Sequence, residues 1–413
     1  MAGIFLMTGL LAVPSAFCQE ALSFVELTGE LGFSDSQIKN GSLTGAPDFS
    51  RIQQVFSRAE RGEDLVIGAI GGSITMGAAA GVAPEDRWIN LVARWFQMKF
   101  PEVDVYLYNA GIGATNSKFG ALRAQHDLLQ YEPDMVFFEF SVNDNVNDMV
   151  QEGSEGLLRQ ALHCTSEPGI IMLGMMNRWG DNVQEKHLPL ASHYDIPFIS
   201  LRNLCESRIT SGQLDPRLIL ADDVHPHTAG HRLTARMILL HLEEAFSQRS
   251  RETEKTTVIP EPLYSDMLEK VVFHNAAELS MVVYSGWQLQ EHAVTRDQHW
   301  RLHGKRIIEK VWNAVEPGSE WTLAYEGTFF AITHYLYQAG AGAGTVSVKI
   351  DGVEQGVIRG EGEQTWGGYH QTRFFGQELS HGEHLVTITL TEGVQQDDGS
   401  AGFDIIAVSY GTE

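Results

Sequence analysis

The hydrophobic pattern of this chain changes period once, near residue 250, and no single architecture satisfies both halves. Up to about residue 249, short apolar runs without alternation are separated by stretches that repeat every three to four residues. Leu65-Val66-Ile67-Gly68-Ala69-Ile70 is such a run, apolar on both faces, as in a strand covered on both sides. Further runs occupy Val103 to Tyr108, Met135 to Phe140, Ile170 to Leu173 and Phe198 to Leu201. Between them lie amphipathic segments. Asp48 can cap a helix that continues through Glu60, with Phe49, Ile52, Val55, Phe56 and Ala59 on one face. Asp86 to Lys99 turns Trp88, Leu91, Val92, Trp95 and Phe96 inward before Pro101 stops it, and residues 227–246 make a last long helix. Five strands with helical crossovers predict a parallel sheet between two helix layers.

The segment SQRSRETEKTTVIPEP that follows is polar, charged and closed by two prolines, which reads as a linker. Beyond it the period is two: Trp321 to Tyr325, Thr345 to Ile350 and Leu385 to Leu390 all alternate, with turn signals such as Asp351-Gly352 and His381-Gly382-Glu383 between them. This spacing predicts an antiparallel β-sandwich, jelly-roll-like in outline. The expected division is an N-terminal segment 1–48, an α/β domain 49–249, a linker 250–262 and a sandwich 263–413. Gly3 to Phe17 is apolar but too short to span a bilayer, and no other stretch is long enough. Residues 1–18 are either a signal peptide, ending at a poor Ala16-Phe17-Cys18 site with no Lys or Arg ahead of it, or a segment packed on the core. The first case implies a secreted or periplasmic protein, the second a cytoplasmic one.

Charge narrows the partners. Lys plus Arg number 29 against 53 Asp plus Glu, a net −24 spread along the whole chain, so the basic footprint of a nucleic-acid reader is absent. Cys18, Cys164 and Cys205 form no CxxC pair and no metal-ligand spacing, so neither a disulfide scaffold nor a zinc site is written here, and no metal or cofactor is expected.

In an open parallel sheet, reacting groups collect where the loops leave the carboxyl ends of the strands. After the first strand comes Gly71-Gly72-Ser73-Ile74-Thr75-Met76-Gly77. Gly72 and Gly77 match the outer glycines of a phosphate loop, but Ala78 and Ala79 stand where that loop needs Lys and Ser/Thr. The lipase elbow G-x-S-x-G fails at Thr75. What remains is a serine on a glycine turn, either a nucleophile or a helix cap. The second strand runs into Asn109-Ala110-Gly111-Ile112-Gly113-Ala114-Thr115, where glycines let backbone N–H groups approach a ligand. The third runs into Ser141-Val142-Asn143-Asp144-Asn145, where Asn143 either offers an amide to an oxyanion or makes an Asx turn. Asp222-Asp223-Val224-His225-Pro226 is the strongest local signal: Asp222 can fold back onto the ring of His225 and leave its Nε2 free as a base. Pro226 suits the first position of the last helix, which would put His225 at that helix's N-terminus, with Asp223 as a solvated neighbour.

Together these four blocks resemble the SGNH, or GDSL-type, hydrolase superfamily over roughly residues 62–246. The resemblance implies a flavodoxin-like three-layer α/β/α domain. It also implies a serine esterase that works without a metal by two-step acyl transfer, with Ser73 as nucleophile, His225 as base and Asp222 as its orienting carboxylate. Ser73 and Gly113 N–H groups and the Asn143 amide would hold the oxyanion. The first block reads GGSIT in place of the GDS form, and the third SVND in place of GxND. GGSIT variants look like bacterial carbohydrate deacetylases, so the implied substrate is an acetylated oligo- or polysaccharide. Of eight tryptophans, Trp287, Trp300, Trp312, Trp321 and Trp366 lie beyond the linker. Trp321, inside an alternating strand, is expected in the core. Trp366, in the loop Gln364 to Tyr369, is the candidate sugar-stacking platform of a carbohydrate-binding sandwich. The two domains are expected to be separable, with chemistry in the first and polymer affinity in the second.

Overall fold

The computed structural model describes residues 31–81, 86–145, 149–249, 258–291, 301–302, 305–306, 310–393 and 402–412. The signal-peptide reading of residues 1–18, most of the linker and Trp300 lie outside them.

In chain order the first domain comprises α1 (Asp35–Ser42), β1 (Leu43–Thr44), α2 (Ser50–Glu60), β2 (Leu65–Gly71), a single turn α3 (Ser73–Met76), α4 (Trp88–Lys99), β3 (Val105–Gly111) and α5 (Ser117–Asp127). It continues with β4 (Met135–Glu139), α6 (Val150–Leu162), β5 (Gly169–Gly174), α7 (Gln184–His193), β6 (Phe198–Ser200), α8 (Leu201–Thr210) and α9 (Thr228–Gln248). The sheet order is β1-β6-β5-β4-β2-β3. The strands from β2 to β6 are parallel, and the two residues of β1 pair antiparallel on the edge. The parallel part is the flavodoxin-like arrangement, in which strand order reverses between β2 and β4 and opens a crevice there.

Burial explains why the apolar runs do not alternate. Ile67, Ala69, Phe137, Ile171 and Ile199 point into one core shared with α2, α4 and α9. Ile70, Val136, Phe138, Ile170 and Met172 point into a second core under α5, α6 and α7. Three layers result. Two helix starts differ from expectation. Phe49 replaces Asp48 as the residue before α2, although the Asp48 carboxylate still accepts from Ser50 N at 2.8 Å. α9 begins at Thr228 with His227 as its cap, because Pro226 is held extended in a bridge to Leu220. His225 is therefore not at the helix N-terminus.

The second domain stacks two antiparallel sheets. The first has the order β17-β14-β19-β12-β9, with β7 also pairing β19, from β7 (Val271–Asn275), β9 (Trp287–Glu291), β12 (Lys310–Ala314), β14 (Phe330–Leu336), β17 (Tyr369–Phe375) and β19 (Phe403–Gly411). The second has the order β16-β15-β18-β13-β8, from β8 (Val283–Ser285), β13 (Glu320–Gly327), β15 (Thr345–Ile350), β16 (Val353–Arg359) and β18 (Gly382–Glu392). A separate ribbon pairs Arg301–Leu302 (β10) with Lys305–Arg306 (β11). Trp287, Trp312 and Trp321 fill the core between the sheets, as expected for Trp321, whereas Trp366 is 67% exposed and stacks on Tyr369 at 5.5 Å.

β13, β15 and β18 alternate between buried and open positions, but β14 is buried at every residue and β19 at nearly every one. A strand covered on both faces needs a second partner. That partner is the α/β domain: Phe329 and Ala331 share a core with Ala121, Leu157 and Leu158, and Leu268 joins them. α5 is consequently buried nearly all round, with the parallel sheet on one side and the sandwich on the other. Glu155, fully buried on α6, fastens the chain after the linker by accepting from the backbone N–H groups of Leu263, Tyr264 and Ser265. Across the interface His126 bridges Asp127 at 2.6 Å and Glu278 at 3.0 Å. The domains are thus packed together through a shared core.

Candidate active site

The four sequence blocks converge at the carboxyl ends of β2, β3 and β4. β2 ends at Gly71, and Ser73 opens the single turn of α3 directly after it. Gly111, at the end of β3, allows the closest approach: a Cβ there would lie 2.3 Å from the Met76 nitrogen, so only glycine lets β3 pass under the turn. Asn109 stitches the two loops together, its amide donating to Thr75 O at 2.8 Å and its Oδ1 accepting from Gly111 N at 2.9 Å. Arg123, wholly buried on α5, donates to Ala110 O at 2.7 Å and to Gly71 O at 3.4 Å, and so braces both strand ends from below. The sequence marked the Asn109–Thr115 block for its glycines, but not the bridging role of Asn109 or the brace supplied by Arg123.

Ser73 is buried to 7% exposure, and its Oγ lies 2.8 Å from Nε2 of His225. Nδ1 of the same ring lies 2.7 Å from Asp222 Oδ2. A carboxylate only accepts, so Nδ1 carries the proton and Nε2 presents a lone pair to the serine hydroxyl. The other Asp222 oxygen accepts from Val224 N at 2.8 Å and His225 N at 2.7 Å. Partial burial works to raise this carboxyl, but the two backbone donors and the ring outweigh it and hold it below the usual range. The loop is closed by Ala221 N donating to His225 O at 2.8 Å. Asp223 points elsewhere, to Arg178 Nη1 at 2.8 Å.

Gly113 and Asn143 flank the serine. An ideal Cβ on Gly113 would lie 3.9 Å from Ser73 Cβ, so that loop runs beside Ser73. Asn143 lies against Gly72, where an added Cβ would come within 2.1 Å of its Oδ1. In this chain the asparagine therefore occupies the volume that a side chain at position 72 would need. The Asn143 Oδ1 is buried with no hydrogen-bond partner among the described residues, which disfavours the Asx-turn alternative. Its neighbour Asp144 anchors the turn, accepting from Ser117 N at 2.7 Å and bonding His187 Nε2 at 2.9 Å.

Two buried titratable groups support α3. Glu139, at the end of β4, accepts from Thr75 Oγ1 at 3.2 Å, and burial pushes its carboxyl up to about 8, so it is largely neutral at pH 7. His231 is held neutral, drawn down to about 4 by burial. Its Nε2 donates to Ala78 O at 3.2 Å and its Nδ1 accepts from Trp88 N at 3.4 Å. The sandwich also reaches this region, since Ile112, beside Gly113, is buried among Val311, Tyr335, Tyr337 and Ile406. Among the described residues no group of three or more His, Cys, Asp or Glu is placed to hold a metal ion, and no helix is long and apolar enough to cross a membrane.

Residues 69–233 match the family model of the GDSL-like Lipase/Acylhydrolase family. No curated protein sequence matches the chain. Among solved structures, a two-domain esterase (CEX) active on acetylated mannans is similar with a TM-score of 0.79 and 28% identity, over 91% of this chain and 98% of that one. A second structure of such an esterase, co-crystallised with mannopentaose, gives 0.79 and 29% over the same shares. These likenesses span both domains. The α/β domain, with its serine at the end of β2 and its DxxH loop before α9, is an SGNH-type, GDSL-like serine hydrolase domain.

Proposed function

We propose that this protein is an esterase that removes acetyl or other short acyl groups from a carbohydrate, with Ser73, His225 and Asp222 as its triad. The observation that carries the reading is the unbroken contact chain from Ser73 Oγ through both nitrogens of His225 to Asp222, at 2.8 and 2.7 Å. Ser73 attacks the ester carbonyl while His225 takes its proton, and the tetrahedral oxyanion develops between the N–H groups of Ser73 and Gly113 and the Asn143 amide. His225 returns the proton to the sugar alcohol as it leaves. Water, activated by the same ring, then hydrolyses the acyl-enzyme. Asp222 holds the ring and stabilises the imidazolium formed in each half.

The carbohydrate substrate is supported by the two-domain esterases active on acetylated mannans, which share the arrangement over nearly their whole length. The sandwich, in this reading, contributes sugar affinity through Trp366, whose exposed indole is stacked on Tyr369 and fit to lie against a pyranose ring. The test is acetate release by the intact chain from acetylated mannan and other acetylated glycans, beside aryl esters of increasing chain length, with Ser73→Ala as the control. Acetate release from a glycan that vanishes in Ser73→Ala, with aryl acetate preferred to aryl octanoate by at least about tenfold, is the expected outcome. Preference for the long chain would replace this reading with that of a lipase.

A further inference from the structure

The loop that leaves β5, residues 175–183, belongs to the same rim as Ser73, Gly113 and Asn143. It spans two of the catalytic blocks. Its two ends meet at Ser141, where Met175 N donates to Ser141 Oγ at 2.7 Å and Val183 N to Ser141 O at 2.9 Å, which ties the base of the loop to the SVND turn. At its crest Arg178 N donates to Asp223 O at 2.9 Å and Arg178 Nη1 pairs with Asp223 Oδ1 at 2.8 Å, which ties it to the Asp222–His225 loop.

Next to that tether stands Trp179, 60% exposed. An indole so open contributes little to folding, yet the backbone that carries it is closely fixed. Asn177 Oδ1 accepts from Trp179 N at 3.0 Å and from Asp181 N at 2.9 Å, while Asn177 N donates to Asp181 O at 3.1 Å. The Arg178 guanidinium lies 4.6 Å from the ring centroid. With one face under the guanidinium, exposure of this size comes from the opposite face and the rim. A rigid aromatic face loses little entropy on binding, and a pyranose, whose C–H groups line one face, is the ligand that matches it. Trp366 is a different platform, on the sandwich.

We propose that Trp179 is a sugar-stacking platform of the catalytic domain's own substrate site, set in place by Arg178 and Asp223. The proposal rests on the carbohydrate-ester reading and names a residue that determines its specificity. Stacking acts on the sugar, not on the acyl carbonyl, so its loss separates glycan from aryl substrates.

The experiment compares the intact chain with Trp179→Ala and Trp179→Phe on acetylated manno-oligosaccharide and on 4-nitrophenyl acetate. For Trp179→Ala, kcat/KM on the oligosaccharide falls at least tenfold further than on the aryl ester, chiefly through KM, and Trp179→Phe recovers part of it. Asp223→Asn gives a smaller shift in the same direction. In a Ser73→Ala background, where nothing turns over, Trp179→Ala weakens oligosaccharide binding by calorimetry about tenfold. Equal losses on both substrates, or unchanged oligosaccharide KM and affinity, overturn the proposal while leaving the esterase reading intact. A wild-type chain that cleaves aryl acetate but no acetylated glycan overturns both.

Discussion

Gly72→Ala tests the oxyanion geometry without touching the triad. The backbone at position 72 has a negative φ, −87° with ψ −150°, outside the left-handed region that penalises a side chain, so the substitution acts chiefly through the space its methyl needs. Its methyl would lie 2.1 Å from Asn143 Oδ1 and 2.8 Å from Cγ. One group must give way. Gly72 N is held on Glu139 O at 3.2 Å, whereas the Asn143 Oδ1 has no hydrogen-bond partner among the described residues, so the amide swings out. Losing one oxyanion donor costs about 3–4 kcal/mol in the barrier, or about 10²–10³ in kcat. KM on a small aryl acetate changes little, because the donor acts on charge that exists only in the transition state. Overpacking also removes about 1–3 kcal/mol of stability, so rates belong well below the melting transition. A double-mutant cycle supplies the decisive assay. In an Asn143→Ala background the amide is already gone, and Gly72→Ala should then lower kcat by less than about threefold. A full loss of kcat in both backgrounds, or none in the wild type, refutes the placement of Asn143 over the oxyanion.

Among the carboxylates near the base, Asp222→Ala should lower kcat on aryl acetate more than Asp223→Ala, because only Asp222 meets the imidazole, with His225→Ala the most damaging of the three; the reverse carboxylate order would identify a different orienting group. Phe329→Ala should remove about 3–5 kcal/mol from the shared core. At about 2.1 cal/mol/K per residue that moves a single transition of all 413 residues by about 3–6 °C, whereas a sandwich unfolding alone would move by about 10–16 °C and leave the hydrolase transition in place. Calorimetry tells these apart. The Asp127 hydrogen bond, opposed by burial and aided by Glu278, raises His126 to about 9 from 6.5. A raised pKa means that the folded state holds the proton more tightly, so this stabilisation is fully present below pH 6.5 and is lost as pH rises through about 9. His126→Asn should flatten that part of the melting-temperature profile, and an unchanged slope would remove the cross-domain link from the account.

What the sequence determined was local. Unbroken apolar runs specify strands covered on both faces, and the run at Leu65 to Ile70 became β2, an interior strand of the sheet. Asp222 and His225 are three residues apart, so their contact is written within one tight loop. Placing reactive blocks at strand ends needed only strand direction, which helical crossovers fix. Tertiary structure decided the rest. Ser73 and His225 are far apart in the chain, and only the order of strands in the sheet brings Oγ to Nε2. The bridge between Leu220 and Pro226 moved the start of α9 past His225, against the local preference of proline for a first helical turn. The three alternating runs beyond residue 263 all belong to the second, outward sheet, where water covers one face. Phe330–Leu336 and Phe403–Gly411 do not alternate, because their other face meets the hydrolase domain. Periodicity records how many faces of an element are dry but not what keeps them dry, and here that covering surface is the domain that carries the candidate active site.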